Sequence, residues 1–325
     1  MNMESDLGEF ELIRRFFLKP CRPGSGVILG IGDDAALLDL PAGSDLVVSV
    51  DTIVAGRHFL QDADARTIGH RALAVNLSDM AAMGATPAWS TLALTMPSAD
   101  SGWLEKFAAG FFALAEAYAV ELVGGDTTRG PLAISVQLLG HAPHATSLRR
   151  SGAKAGDLLA VSGTLGDAAA GLAFLKQPAA VRSGAVDTVV RRFEYPTPRV
   201  QLGIAARGIA SAAMDLSDGL AGDLAKLADA SGLAAHASVD RLPLSDAIRE
   251  VVDLSEARDL ALAGGDDYEL LLAVPPHRFA DLAAAADQLN LTLTAIGELR
   301  AGAGVNWSLN GEDFVPGVLG YDHFA

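Results

Sequence analysis

The sequence predicts an α/β protein built from two domains, and three observations carry that expectation. Short apolar runs of strand length alternate with longer runs rich in Ala and Leu. The 325 residues exceed a single typical domain. Residues 142–157, APHATSLRRSGAKAGD, turn polar, small and locally basic, as a domain boundary does. The expected domains are therefore 1–145 and 146–325.

In the first half, DLVVSVDT (45–52) reads as a strand ending in Asp51. Residues 64–84 read as a helix closed by Gly84, with Pro87 just beyond. WSTLALTMP is a strand and GWLEKFAAGFFALAEAYAV a helix. ELVGGDTTRG reads as a short strand breaking into a glycine turn, and LAISVQLLGHA as the strand that closes this half. The second half restarts with strand LLAVSG, turn TLGD and helix AAAGLAFLK. Helix TPRVQLGIAARGIA follows, then a short strand at AAMDLSDG leading into helix LAGDLAKLADASG. Strand DYELLLAVP comes after the turn AGGDD, and helix HRFADLAAAADQLN and strand LTLTAIGEL finish the core.

Composition excludes several classes. Half the residues are hydrophobic, too many for a disordered chain. The 40 acids against 24 Lys and Arg leave a formal charge of −16, which argues against a nucleic-acid or anionic-membrane surface. A single cysteine, Cys21, rules out a disulfide framework or a multi-cysteine metal site; it has no paired His/Asp pattern and is taken as incidental. No segment reaches about 20 uncharged apolar residues in a row, and the opening MNMESDLGEFELIRRFF carries acids too early for a signal peptide. A soluble, cytoplasmic protein is expected.

Carboxylates recur beside Gly, Ser or Thr where apolar segments end: Asp33 and Asp34, Asp51, Asp79, Asp126, Asp215 and Asp218, and Asp266, Asp267 and Glu269. Each alone reads as a helix cap or turn residue. Together, with few basic neighbours, they read as an acidic site at strand ends, where α/β sheets bind ligands. Asp79 is the sharpest case, since Leu73 to Pro87 contain no other charge. On a helix Asn76 and Asp79 share a face. A buried unpaired carboxylate costs several kcal/mol, so Asp79 is either protonated or water-bonded in the core or paired with a cation, for which Mg2+ is the natural candidate.

In MDLSDGLAGDL, Ser217 is placed to cap the following helix, leaving free amides that suit a phosphate. SGTLGDAAAGL is a second glycine-rich turn, but no glycine-lysine-Ser/Thr ending makes a P-loop. Arg149, Arg150 and Lys154 at the junction suit a polyphosphate or a solvated linker. His58 follows the Asp51 strand and reads as a substrate contact or a satisfied loop histidine. Several divalent cations neutralising two phosphates would support phosphoryl transfer with little need for a general base.

The series GEFELI, GIGDDAALL, SVDTIVAGRHF, RALAVNLSDMAAMGATPAW, GGDTTRGP, RSGAKAGD, DLSDGLAGDL, GGDDYEL and GYDHF resembles bacterial thiamine-monophosphate kinase, in order from about residue 8 to 324. The resemblance implies transfer of the ATP γ-phosphoryl to thiamine monophosphate with Mg2+. It also implies an aminoimidazole-ribonucleotide-synthetase-like fold of mixed sheets flanked by helices, and a homodimer formed through the N-terminal domains. It makes Asp34, Ser49, the Val50 carbonyl, Asp51, Asp79, Asp126, Asp215 and Asp218 metal ligands. Gly125, Asp126, Arg150 and Ser217 fall to ATP, and His58 and Asp266, where the family commonly has Glu, to thiamine monophosphate. Where an aromatic often covers the thiamine, this chain has Val318 and Leu319, with Trp307 or Tyr321 as substitutes. The alternatives are another ATP-dependent member of that superfamily, such as selenophosphate synthetase, whose reactive Cys or selenocysteine setting Cys21 lacks, and a non-catalytic sensor of Mg2+-nucleotide.

Overall fold

A computed structural model describes residues 8–177, 183–318 and 320. The chain divides into two compact units, one of residues 8–80 and 85–145, the other of residues 81–84 and 146 onward.

The first unit opens on a helical turn α1 (Glu9–Leu12) that widens into a π-helical turn, Ile13–Phe17. A two-stranded ribbon follows, β1 (Val27–Leu29) against β2 (Leu37–Leu38). The main elements are β3 (Ser44–Val54), α2 (Ala65–Ala82), β4 (Thr86–Met96), α3 (Ser101–Ala117), β5 (Glu121–Arg129) and β6 (Ala133–Pro143). They make a four-stranded sheet ordered β3-β6-β4-β5. Only the β4–β5 pair is parallel. The core lies on one face of this sheet, where Leu73, Leu77 and Met80 of α2 and Leu104, Phe107 and Phe111 of α3 are fully buried. Helical spacing puts each set on one stripe. The two helices touch through glycine: a methyl on Gly69 would lie 2.1 Å from the Phe107 carbonyl oxygen, and one on Gly110 2.0 Å from that of Arg66. Asp100 caps α3 by accepting the Gly102 and Trp103 amides.

The second unit contains β7 (Leu158–Ser162), α4 (Asp167–Leu175), α5 (Gly184–Glu194), α6 (Val200–Ala206), β8 (Ala212–Leu216), α7 (Leu220–Ser231) and β9 (Ala234–Ser238). Then come α8 (Asp246–Val251), α9 (Leu254–Ala263), β10 (Glu269–Val274), α10 (Phe279–Gln288), β11 (Leu293–Arg300), β12 (Gly304–Leu309) and β13 (Glu312–Phe314). Its seven-stranded sheet runs β13-β12-β9-β11-β7-β10-β8, antiparallel except between β12 and β9. β8 and β10 are buried at every residue, which is why they read as continuous apolar runs.

The mixed sheets flanked by helices agree with the expected fold class; several elements do not follow the expected bounds. β3 continues three residues past Asp51, held by eleven paired positions with β6. β5 does not break at Gly124–Gly125 but runs through them to Arg129. The helix read over 197–210 is only Val200–Ala206. α5, α8, α9, β9, β12 and β13 are not among the elements read from the sequence: α8, β9 and β13 are short, whereas α5 does repeat Ala185, Val186, Val189, Val190 and Phe193 on one face and β12 does alternate Val305, Trp307 and Leu309.

Candidate active site

In the first unit the site grows from the alternation along β3. Val47, Ser49, Asp51 and Ile53 point to the helix-covered face, while Leu46, Val48 and Val50 are 50%, 49% and 62% exposed on the other. Across from that row, α2 presents Asn76 and Asp79, as their three-residue spacing requires. The Ser49 hydroxyl donates to Asp79 Oδ2. Asn76 is fully buried; its Oδ1 accepts the Asp51 amide at 3.1 Å and its Nδ2 donates to the Ala72 carbonyl. The carboxylate that lacked a partner in its own segment thus has one from a strand 30 residues earlier. Val50 points its side chain away from this cluster, so only its backbone carbonyl remains for a ligand role.

Asp51 and Asp126 lie inside strands rather than at strand ends as expected, because β3 and β5 are the sheet's two edges and each runs past its acid. The glycines before Asp126 serve the sheet. Between Ser90 and Thr91 the β4–β5 register shifts, and Gly125, at φ +148, lies so close to β4 that a methyl would sit 1.9 Å from the Leu92 carbonyl oxygen. Gly125→Ala is expected to lower stability by about 3 kcal/mol and the midpoint of thermal unfolding by roughly 10 °C, read by scanning calorimetry.

A cleft of about 800 Å³ opens beside this strand. Asp34, Gly125 and Asp126 line it, with Thr91 and Thr127, and its apolar wall is Phe10, Ile13, Phe17 and Leu122. Asp33 braces the turn by accepting the Asp34 amide at 2.9 Å. The part of this wall from α1 and the π-helical turn after it is absent from the sequence-derived site, although Phe10, Ile13 and Phe17 repeat at helical spacing in EFELIRRFF. His58 Nδ1 accepts the Val54 amide at 3.0 Å, and the His58 carbonyl accepts from Arg71.

In the second unit, Asp215 is buried at 5% exposure near the end of β8, and the loop Ser217–Gly219 leads into α7. Contrary to expectation, Ser217 does not cap α7. Asp223, 1% exposed, accepts both the Ser217 and Asp218 amides at 3.1 Å through Oδ2. Those amides are therefore not free for a phosphate. Lys226 Nζ donates to Asp218 Oδ2 at 2.6 Å and to Asp223 Oδ1 at 2.9 Å. Burial raises the Asp223 carboxyl, with Lys226 pulling it the other way. Arg149 and Arg150 are exposed. Trp307 is buried in the core at 5% exposure and cannot cover a ligand; Val318 is exposed, and Leu319 and Tyr321 lie outside the described residues.

Behind the GGDDYE loop sits a buried charged cluster. Glu269 has no exposed surface and accepts from Arg192 (2.7 Å), from Ser162 (2.6 Å) and from Arg199 through two nitrogens. A methyl on Gly163 would strike Glu269 Oε1 at 2.2 Å. Asp267 Oδ2 accepts the Gly166 amide at 2.8 Å. Burial pushes the Asp267 carboxyl well above the usual carboxylate range, against the pull of that amide and of Arg192 and with the push of Asp167 and Glu269. A raised native pKa means the folded chain keeps a proton that the unfolded chain loses near pH 4. Its contribution is present below about pH 4 and falls as pH rises toward the raised value. Asp267→Asn is expected to remove that slope, so urea unfolding should show the variant gaining on the wild type as pH rises above about 4.

Among the described residues, no three His, Cys, Asp or Glu side chains are grouped so as to hold a metal by themselves, and no helix is long and apolar enough to cross a membrane.

Comparison with known proteins agrees with this architecture. The family model for the AIR synthase related protein N-terminal domain matches residues 32–142, and that for its C-terminal domain matches 154–308. The chain is 49% identical to thiamine-monophosphate kinase of Salmonella typhimurium, over 98% of both chains. It is 47% identical to the crystal structure of thiamine-monophosphate kinase from Stenotrophomonas maltophilia K279a, with a TM-score of 0.84, covering 90% of this chain and 93% of that one. A structure of AaThiL complexed with AMPPCP and TMP aligns at 31% identity and a TM-score of 0.78, over 90% and 92% of the two chains. Identity of this level along the whole length, on the two-unit architecture just described, shows that the chain belongs to the thiamine-monophosphate kinase family, built on the AIR synthase related fold.

Proposed function

We propose that the chain transfers the γ-phosphoryl group of ATP directly to the phosphate of thiamine monophosphate, with Mg2+, giving thiamine diphosphate and ADP. The observation that carries this is the cleft in which Asp34, Gly125 and Asp126 meet an apolar wall, in a chain of this family. Apolar lining with a few convergent polar groups is what a ligand site requires.

The donor set fits Mg2+. Asp34 and Asp126 line one cleft, and Asp79, Ser49 and Asp51 offer hard oxygens separately, where α2 covers β3 at the opposite edge of the sheet. Mg2+ is commonly held by one or two carboxylates, waters and substrate phosphates, so a site lacking three clustered acids suits an ion that arrives with the nucleotide. When bound, it would neutralise phosphate charge as the phosphoryl group passes. Several Mg2+ ions are proposed, with Asp34, Ser49, the Val50 carbonyl, Asp51, Asp79 and Asp126 as ligands from the first unit and Asp215 and Asp218 as ligands from the second.

The acceptor is itself an anionic oxygen, so the residues orient and exclude water rather than remove a proton. Gly125, Arg150 and the Ser217 hydroxyl are assigned to ATP, and His58 and Asp266 to thiamine monophosphate. Val54 fixes the His58 ring by donating to Nδ1. Lys226 keeps Asp218 neutralised and would yield it to the metal.

We further infer a cytoplasmic homodimer. The row Leu46, Val48 and Val50 leaves an apolar stripe open on an edge strand, of the kind that marks an interface. The test combines two measurements: phosphoryl transfer with and without a chelator, and sedimentation of the wild type and of Val48→Lys. Loss of turnover on chelation and a monomeric variant are expected. Chelator-resistant turnover would remove Mg2+, and a wild-type monomer would remove the dimer.

A further inference from the structure

The GGDDYE loop is assigned to the acceptor only through Asp266, yet its geometry involves the next two residues as well. Asp266 and Tyr268 both adopt left-handed backbone, at φ +70 and +51. For Tyr this is uncommon and disfavoured. Two backbone bonds hold the conformation: the Asp266 amide donates to the Ser217 carbonyl and the Tyr268 amide to that of Leu216, each at 2.9 Å. Gly265 lies against the same strand end, where a methyl would sit 2.5 Å from the Ser217 carbonyl oxygen. Asp267, between the two left-handed residues, points inward to the Gly166 amide.

This folding turns the Tyr268 ring back over its own loop. Tyr268 is 8% exposed, and its hydroxyl donates to Asp266 Oδ1 at 3.0 Å, whereas Asp266 itself remains partly open. Held by a buried phenol, a short carboxylate side chain loses rotamer freedom and keeps a set direction. Such preorganisation raises affinity by lowering the ordering cost on binding.

We propose that Tyr268 is a positioning residue that aims the Asp266 carboxylate at thiamine monophosphate and so sets affinity for the acceptor, not for ATP. This rests on the assignment of Asp266 to the acceptor. Asp267 and Glu269 anchor the loop from behind, so one short motif supplies the contact, its orientation and its support.

The test is a cycle of Tyr268→Phe, Asp266→Asn and the double variant, with KM for thiamine monophosphate, KM for ATP, kcat and thermal midpoint measured for each. Tyr268→Phe removes one hydroxyl and keeps the ring. It is expected to raise KM for thiamine monophosphate roughly tenfold, as loss of a hydrogen bond to a charged group does. KM for ATP and the thermal midpoint should stay at wild-type values. Asp266→Asn should also raise KM for thiamine monophosphate, and adding Tyr268→Phe to it should cost nothing more. If Asp266→Asn raises that KM while Tyr268→Phe does not, or if Tyr268→Phe shifts both KM values and the midpoint together, the positioning role is overturned. If Asp266→Asn itself leaves KM for thiamine monophosphate unchanged, the acceptor assignment falls, and the proposal with it.

Discussion

Asp79→Asn is expected to lower turnover by roughly 100- to 1,000-fold while the protein stays folded. The substitution changes one oxygen for nitrogen and keeps the volume, so the packing of the buried Leu73, Leu77 and Met80 on the same helix is untouched. The amide oxygen of the substituted side chain can still accept from the Ser49 hydroxyl, which in the wild type reaches Asp79 Oδ2. What disappears is a full negative charge beside the proposed metal site. The thermal midpoint should hold or rise, because removing a charge from a partly buried setting relieves a desolvation cost. The check is steady-state kinetics across Mg2+ concentration together with calorimetry. Near-wild-type activity in Asp79→Asn would make the carboxylate a core group of no functional consequence.

Glu269→Ala is expected to destabilise the protein by about 3–5 kcal/mol, a fall of roughly 10 °C or more in thermal midpoint. Glu269 is the only anion that both Arg192 and Arg199 grip at hydrogen-bond distance among the described residues, and it also accepts from Ser162. Its removal strands two guanidinium groups whose side chains are 19% and 12% exposed. Burial opposes the Arg192 charge, but Glu269, Asp267 and Asp167 outweigh it and hold that charge in place. The exposed pair of Arg300 and Glu298 supplies the control. Its side chains are 57% and 41% exposed, so Glu298→Ala should cost under about 1 kcal/mol. Equal losses from the two variants would show that the buried cluster contributes no more than a surface ion pair.

How much of this was legible in the sequence depends on how far each residue's partner lies along the chain. Asp79 stood out because no other charge occurs from Leu73 to Pro87, and a lone carboxylate on an apolar helix needs a reason. Its hydroxyl partner, Ser49, is 30 residues away and entered the reading only through family resemblance. Gly124–Gly125 was misread as a turn because two glycines locally signal one. Their requirement is tertiary, the approach of β5 to the Leu92 backbone. Ser217 looked like a cap by local rule, whereas Asp223 reaches back from inside α7 to two amides while Lys226 offsets its charge. Elements such as β12 and β13 are short and half-polar: in GVNWSL Trp307 is buried, while Val305 and Leu309 pack against the core only partly covered. Apolar periodicity locates what is buried, and carboxylates within strands locate the site; the hydrogen bonds joining them span too many residues for local pattern to reveal.

The central claim is most directly tested by mixing the protein with Mg2+-ATP and either thiamine monophosphate or free thiamine, then measuring ADP and thiamine diphosphate. The account predicts one ADP for each thiamine diphosphate formed from the monophosphate, and no turnover with free thiamine. Absence of thiamine diphosphate, or equal use of free thiamine, would contradict it.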